Sequence, residues 1–235
     1  MHAECIYIHS DLYGTVTMLS TGSARLDSLL GGGVEDGTIT LLYGEGGSGK
    51  TNLCLMLTKS AILGGSKVLY IDTEGVSMER LSQISGSDTE RVSKNTLFSE
   101  PYDLREQTRL ISKGIKLLDN KSRIGLITVD SLTMFFRMTR TEDGDERKDL
   151  NEQLGLLLNA ARKFTIPVVI TSQVYTDIVN GTIEPLGGHI LQHAAKTILR
   201  LDRIPGGRRK ATLMKHRHLR EGAFIEFTIT AGGVE

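Results

Sequence analysis

The fold is decided by the stretch Gly44-Glu45-Gly46-Gly47-Ser48-Gly49-Lys50-Thr51. It fits the pattern G-x-x-x-x-G-K-[S/T] of phosphate-binding loops, and it follows a short apolar run and precedes an amphipathic stretch, as a strand–loop–helix unit requires. Glycines let successive backbone N–H groups turn towards phosphate oxygens, and the helix N-terminus adds partial positive charge. We therefore predict a nucleotide site formed by these eight residues and Asn52.

Two side chains of this loop and one distant carboxylate have predicted roles towards phosphate and Mg²⁺. Lys50 supplies a positive charge to the β- and γ-phosphates, and the hydroxyl of Thr51 ligates Mg²⁺. Asp130 follows the apolar run 124–129, which is the place of a carboxylate that holds Mg²⁺ through water. The alternative for Asp130 is an ordinary aspartate in the turn after a strand.

Polar residues at the ends of two further strand candidates suggest catalysis. Glu74 follows the apolar run 67–71, and its carboxylate could orient or deprotonate the water that attacks the γ-phosphate. Gln173 follows the run 167–171 and could sense the γ-phosphate through its amide. The alternative for Glu74 is a helix-capping acid. Lys50, Glu74 and Gln173 form the predicted catalytic set.

The order of elements predicts an α/β fold with a mixed sheet. Strand and helix candidates alternate as far as residue 171, which favours a parallel centre. The short strands 197–201, 211–214 and 224–229 have few residues between them and predict an antiparallel C-terminal edge. We expect a loose extension over residues 1–18, with Met18 as a possible true start, and a single core over 19–235.

Composition narrows the class of protein. The 235 residues carry no net charge, so nucleic-acid binding requires local clusters of basic side chains. The sequence has no run of about 18 apolar residues, so we predict no membrane-spanning helix. The chain has two cysteines, and this low number fits a reducing cytosol.

Several motifs, in the same order along the chain, resemble RecA/RadA-type ATPase cores, which share a RecA-like P-loop fold. The resemblance extends from Leu19 to Val234 and is carried by Leu19–Gly33, Tyr70–Gly75, Asp130–Thr133, Thr171–Val174, Pro185–Gly188 and His193–Ala195. The nearest group is archaeal RadB, a core-only set of paralogues. Residues 1–18 leave no room for the N-terminal DNA-binding domain of full recombinases, and no Phe-x-x-Ala hook precedes Leu19. Long filaments and autonomous strand exchange are therefore not expected, and a homo-oligomer would be of low order.

The resemblance implies a function. It implies an accessory protein of homologous recombination and DNA repair that binds ATP and Mg²⁺ and is a weak DNA-dependent ATPase. The implied partners are single-stranded or branched DNA, the main RadA-type recombinase and a Holliday-junction resolvase, in a cytoplasmic, nucleoid-associated setting. By the same resemblance Arg80 stacks on adenine, and the basic motif Lys215-His216-Arg217 touches the ATP of a neighbouring subunit.

Two regions are candidates for DNA contact. Arg137 and Arg140 begin the loop that family members use as a first DNA contact, although acidic residues at 142–146 lie beside them. Basic side chains between residues 200 and 220 predict a positive patch against one acid, Asp202, and a solvated hairpin is the alternative reading. The residues of this patch that we predict to contact DNA are Arg208, Arg209, Lys210, Lys215 and Arg217.

Two other functions fit the same motifs. A KaiC-like signalling ATPase shares the core and would autophosphorylate or form hexameric rings. An interaction module is the other, in which ATP only sets the conformation and turnover has no role.

Overall fold

The computed structural model describes residues 17–118, 123–138, 145–176 and 181–235, in which helices and strands alternate through most of the chain. The helices are α1 Ala24–Leu30, α2 Lys50–Leu63, α3 Met78–Ser85, α4 Thr89–Asn95, α5 Leu104–Lys116, α6 Met134–Met138, α7 Asp145–Phe164 and α8 Gly188–Ala194. The strands are β1 Met18–Leu19, β2 Val34–Glu35, β3 Ile39–Gly44, β4 Lys67–Asp72, β5 Thr96–Ser99, β6 Ile124–Asp130, β7 Val168–Ser172, β8 Val174–Thr176, β9 Ile183–Pro185, β10 Thr197–Arg203, β11 Arg209–Lys215, β12 Phe224–Phe227, β13 Ile229–Thr230 and β14 Gly233–Val234.

A sheet of eight strands organises the described residues, in the order β12-β11-β10-β3-β7-β6-β4-β5. All neighbours from β10 to β5 run parallel, and β10, β11 and β12 pair antiparallel. Every residue of β3 is buried, as expected for a central parallel strand covered on both faces. The predicted α/β class, with a parallel centre and an antiparallel C-terminal edge, is confirmed.

Helices cover both faces of the sheet and enclose two apolar cores. On one face α2 packs against the strands, with Leu53, Leu57 and Tyr70 in the same cluster. On the other face α5 and α7 contribute Ile111, Leu154 and further aliphatic side chains. The two faces are needed because β3, β7 and β6 are apolar on both sides, and each side must be removed from water.

Local chemistry explains where α5 begins. The side chain of Asp103 accepts a hydrogen bond from Glu106 N at 2.7 Å, so this residue is the helix N-cap. The carboxylate of Glu106 in turn accepts from Tyr102 N at 3.3 Å, one residue earlier than in a regular capping box. An aspartate followed three residues later by a glutamate is the sequence signature of such a cap, and here its second bond is shifted by one residue.

Three local features differ from the sequence prediction. The polar stretch that begins at Arg137 is helical in its described parts, because α6 includes Arg137 and α7 begins at residue 145. Helices α3 and α4 and the edge strand β5 were not predicted, since each is short and only half apolar. Met18 pairs with Glu35 in a short antiparallel ladder, so backbone pairing begins before Leu19. The rest of the predicted extension, residues 1–16, lies outside the described residues.

Candidate functional site

The parallel sheet gathers the predicted site residues at one edge. Strands β3, β4, β6 and β7 all end there, and their last residues, Gly44, Asp72, Asp130 and Ser172, stand side by side. Asp72 is the register partner of Asp130, and Tyr43 is the partner of Ser172. Ligands of open α/β sheets bind outside the carboxyl ends of the strands, so this edge is the place for a nucleotide.

The loop between β3 and α2 has the backbone that phosphate binding requires. Gly47 and Gly49 have φ values of 74° and 109°, a region that L side chains rarely adopt. Ser48 is fully buried, and its hydroxyl has no hydrogen-bond partner among the described residues. An unsatisfied buried hydroxyl beside a helix N-terminus fits a ligand that brings oxygen acceptors.

Lys50 is buried within the loop it follows. Its ammonium donates to Gly44 O at 2.8 Å and to Glu45 O at 3.0 Å. Burial lowers the pKa of Lys50, and the negative charges of Glu74 and Asp130 oppose that effect. The ammonium therefore lies on the loop, within the electrostatic field of both predicted acids.

Asp130 is almost completely removed from solvent and is hydrogen-bonded on both carboxylate oxygens. Thr171 Oγ1 donates to Oδ1 at 2.6 Å, and Tyr70 Oη donates to Oδ2 at 3.0 Å. Burial raises the pKa of Asp130, whereas hydrogen bonds from Thr171, Thr51 and Tyr70 lower it. Thr51 and Asp130, the two predicted Mg²⁺ residues, are thus in direct contact.

The remaining predicted catalytic residues form a chain towards α6. Gln173 Nε2 donates to Glu74 Oε1 at 3.1 Å, and Arg137 Nη1 donates to Gln173 Oε1 at 3.2 Å. These side chains line a cavity of about 440 Å³ together with Gly44 and Lys50. One amide therefore links the predicted catalytic acid to a predicted DNA-contact arginine.

Asp72 and Thr73 fix the position of Glu74, and the sequence analysis assigned neither of them a role. The carboxylate of Asp72 accepts from the backbone N–H groups of Glu74, Gly75 and Val76. The hydroxyl of Thr73 donates to Ser131 O at 2.9 Å and accepts from Ser131 N at 2.8 Å. An aspartate at the end of a strand, with a glycine three residues later, is a turn signal. It could have predicted the contacts of Asp72 with the backbone N–H groups.

A buried pair of glutamine side chains supports the turn after β6, and this pair was not predicted from the sequence. Gln107 Nε2 donates to Leu132 O at 3.2 Å and to Gln153 Oε1 at 3.1 Å. Gln153 Nε2 donates to Thr108 Oγ1 at 2.8 Å. Both glutamines occupy apolar-face positions of amphipathic helices, which was the available signal.

Arg80 and Asn52, predicted to bind the nucleotide, lie in contact. Arg80 Nε donates to Asn52 Oδ1 at 2.6 Å, and its Nη2 donates to Thr230 O at 2.7 Å. The guanidinium therefore connects the first turn of α2 to the hairpin formed by β13 and β14. This position beside the phosphate loop is compatible with contact to a nucleotide base.

The basic residues between 200 and 220 lie along β11 and its flanks, and several of them have partners within the chain. Arg208 pairs with Glu226 at 2.6 Å, and Lys210 lies 4.0 Å from the centre of the Phe224 ring. Arg209 reaches Gly47 O of the phosphate loop at 3.3 Å. The cause is the antiparallel pairing with β12, which brings an acid and an aromatic ring onto these cations.

Lys215 and Arg217 lie at the other end of β11 and are also engaged. The ammonium of Lys215 donates to Gln192 O at 2.6 Å and to Ala195 O at 2.8 Å, so it stabilises the end of α8. Arg217 pairs with the buried carboxylate of Glu35 at 3.0 Å. These cations therefore fall into two groups at opposite ends of β11, each with partners within the chain, and their contact with DNA stays a prediction. Arg140 lies outside the described residues.

The described ranges contain neither a metal-binding cluster of side chains nor a membrane-spanning helix. In residues 17–118, 123–138, 145–176 and 181–235, no group of three or more His, Cys, Asp or Glu side chains could hold a metal ion by itself. Within the same part of the chain, no helix is both long enough and apolar enough to span a membrane.

Comparison with known proteins decides the family. The model of the Rad51 family matches residues 13–235, which is nearly the whole chain. The chain belongs to the Rad51 family. Its members include relatives described as DNA repair and recombination protein RadB, and the resemblance to the RadB group drawn from the motifs is thereby confirmed.

Three relatives show how far the likeness extends. The RadB protein of Thermoplasma acidophilum is 46% identical over 93% of this chain and 94% of its own length. That of Archaeoglobus fulgidus is 45% identical over 93% and 98%. A solved structure described as the crystal structure of the RadB recombinase is 39% identical, with a TM-score of 0.78 over 92% of this chain and 98% of that one.

Proposed function

We propose that this protein binds ATP with Mg²⁺, hydrolyses it slowly and binds DNA as an accessory protein of homologous recombination and DNA repair. One observation carries the proposal: Lys50, Glu74, Asp130 and Gln173 meet at the end of the parallel strands, and Arg137 is hydrogen-bonded to that group. The relatives are named for DNA repair and recombination, which supports the biological setting.

The residues present fit the nucleotide and its metal ion. The buried Ser48 hydroxyl and the glycine backbone of residues 44–49 suit phosphate oxygens. Lys50 Nζ, which donates to loop carbonyls, would turn to a phosphate oxygen. Thr51 and Asp130 would hold the metal ion, Asp130 through water. When bound, Mg²⁺ neutralises charge on the phosphates. Phosphate oxygens would supply further ligands to the ion.

Glu74 and Gln173 have complementary roles in the proposed hydrolysis. Glu74 is exposed to the cavity, so its carboxylate can orient a water molecule and accept its proton. Gln173 donates to that carboxylate and thereby holds one of its oxygens in place. The other carboxylate oxygen of Glu74 would accept from the water. Asp72 fixes the backbone from which the Glu74 side chain projects.

DNA binding is proposed at the surface that begins at Arg137. This arginine is exposed on α6, and its guanidinium contacts Gln173. A ligand that draws Arg137 away would release the amide that holds Glu74, which couples DNA to turnover. Arg208, Lys215 and Arg217, on β11 and its flanks, are a weaker choice because each already has a partner within the chain.

We expect single-stranded DNA to bind this protein with an affinity that falls steeply as salt rises, because each phosphate contact releases counterions. Arg137→Ala should weaken binding uniformly across sequences and reduce the salt slope by about 1. Fluorescence anisotropy with a labelled oligonucleotide at several salt concentrations measures both. Arg109→Ala is a matched control, since Arg109 is an exposed arginine paired with Glu106 on α5. An unchanged slope in Arg137→Ala would remove this residue from the interface.

The wider setting follows from the family resemblance. We propose the main RadA-type recombinase and a Holliday-junction resolvase as protein partners, single-stranded or branched DNA as the nucleic acid, and a nucleoid-associated place in the cytoplasm. A homo-oligomer of low order is part of the same proposal. The KaiC-like alternative gains no support from relatives named for DNA repair, and mass measurement of the ATP-bound particle together with phosphate mapping would separate the two.

A further inference from the structure

Asp130 is held by two neighbouring strands through hydroxyl groups. Tyr70 on β4 and Thr171 on β7 are both fully buried, and each donates to a different oxygen of the carboxylate. A carboxylate bonded on one oxygen can still rotate about its last torsion, which has a broad energy profile in aspartate. Bonds to both oxygens remove that freedom, so the plane of the carboxylate is fixed by the sheet.

Tyr70 also connects this carboxylate to the rest of the site. Its hydroxyl lies near the thiol of Cys54, one turn after Lys50 in α2. Its ring contacts the ring of Phe98 on β5, with centroids 5.2 Å apart. Because a carboxylate oxygen accepts hydrogen bonds, the Tyr70 hydroxyl is the donor to Asp130. The tyrosine is therefore a link between the phosphate-loop helix, the sheet and the acid.

We propose that Tyr70 is a positioning residue for the metal ion: its hydroxyl, acting with Thr171, holds the Asp130 carboxylate in the orientation needed to bind Mg²⁺ through water. The inference rests on the proposed nucleotide function of the same site. Tyr70 itself does not touch the metal ion or the phosphates. Groups that orient a metal-binding carboxylate commonly change metal affinity by 10- to 100-fold when removed, and this sets the expected scale.

The test is Tyr70→Phe, which keeps the ring and its contact with Phe98 and removes only the hydroxyl. We expect the Mg²⁺ concentration that gives half-maximal binding of a fluorescent ATP analogue to rise about tenfold. Binding of the same analogue in excess chelator should stay within about twofold of wild type, because phosphate-loop contacts are unchanged. Asp130→Ala gives the upper limit of the effect, since it removes the carboxylate altogether.

A matched control and a second variant keep the result interpretable. Tyr43→Phe removes a phenol hydroxyl from β3, three strands away from β4, where Tyr43 packs into the other core and its hydroxyl lies near Arg200. It should leave the Mg²⁺ midpoint unchanged. Thr171→Val removes the bond to the other oxygen and should raise the midpoint in the same direction, so it replaces Tyr70→Phe if that variant fails to fold.

The outcomes separate the inference from the proposed function. A Tyr70→Phe protein that melts at a lower temperature but keeps the wild-type Mg²⁺ midpoint shows a purely structural role and overturns the inference alone. Wild-type protein that binds no nucleotide at any Mg²⁺ concentration overturns the proposed function, and the inference with it. A raised midpoint in both Tyr70→Phe and Thr171→Val, with Tyr43→Phe unchanged, supports it.

Discussion

Lys50→Ala should lower the affinity for ATP by about 100-fold or more. The ammonium is the one buried cation within the phosphate loop, and hydrogen bonds to charged groups contribute roughly 1.5–3 kcal/mol each. A loss of about 3 kcal/mol corresponds to about 100-fold in the dissociation constant. Isothermal titration calorimetry, or titration of a fluorescent ATP analogue, measures the change directly.

The control for this variant lies in the same helix. The ammonium of Lys59 donates a hydrogen bond to Ile84 O at 3.0 Å, away from the loop. Lys59→Ala therefore tests the general effect of losing a lysine from α2. Melting curves without nucleotide should show both variants folded, although Lys50→Ala leaves the carbonyls of Gly44 and Glu45 without their donor. Equal ATP affinity in wild type and Lys50→Ala would refute the assignment of the loop.

The sequence could predict the parallel part of this fold and its site because both depend on local patterns. Buried runs such as 124–129 are apolar throughout, and the polar residue that ends each run must lie at the same sheet edge as its neighbours. Glu74, Asp130 and Gln173 could therefore be placed together without knowing the order of the strands. The structure gives a hydrogen bond of 3.1 Å from Gln173 to Glu74, whereas the catalytic roles of all three residues stay predictions.

Contacts that depend on pairing between distant strands could not be predicted. The basic residues of β11 looked unpaired in sequence, but β12 places Glu226 beside Arg208 and Phe224 beside Lys210. Arg217 meets Glu35 from the opposite end of the chain. A count of local charge has no information about such partners, so it predicts a positive patch without showing which of its cations are paired.

The second-largest effect is expected for Glu74→Gln. An amide cannot accept the proton of the attacking water, and general-base catalysis typically contributes 10²–10⁴-fold. We expect hydrolysis to fall by about 100-fold or more, with ATP affinity within about threefold of wild type, because the amide oxygen can still accept from Gln173. Phosphate release under single-turnover conditions measures the rate. Glu79→Gln is the matched control, since Glu79 is an exposed acid on α3.

The same variant separates an enzyme from a conformational switch. If Glu74→Gln keeps DNA and partner binding but loses the biological function of the protein, turnover itself is required. If it retains that function while hydrolysis is lost, bound ATP acts by setting the conformation, through the contact of Gln173 with Arg137. Hydrolysis that continues at the wild-type rate would show that Glu74 is not the base, and Asp72 is excluded as its substitute because its carboxylate is already bonded to three backbone N–H groups.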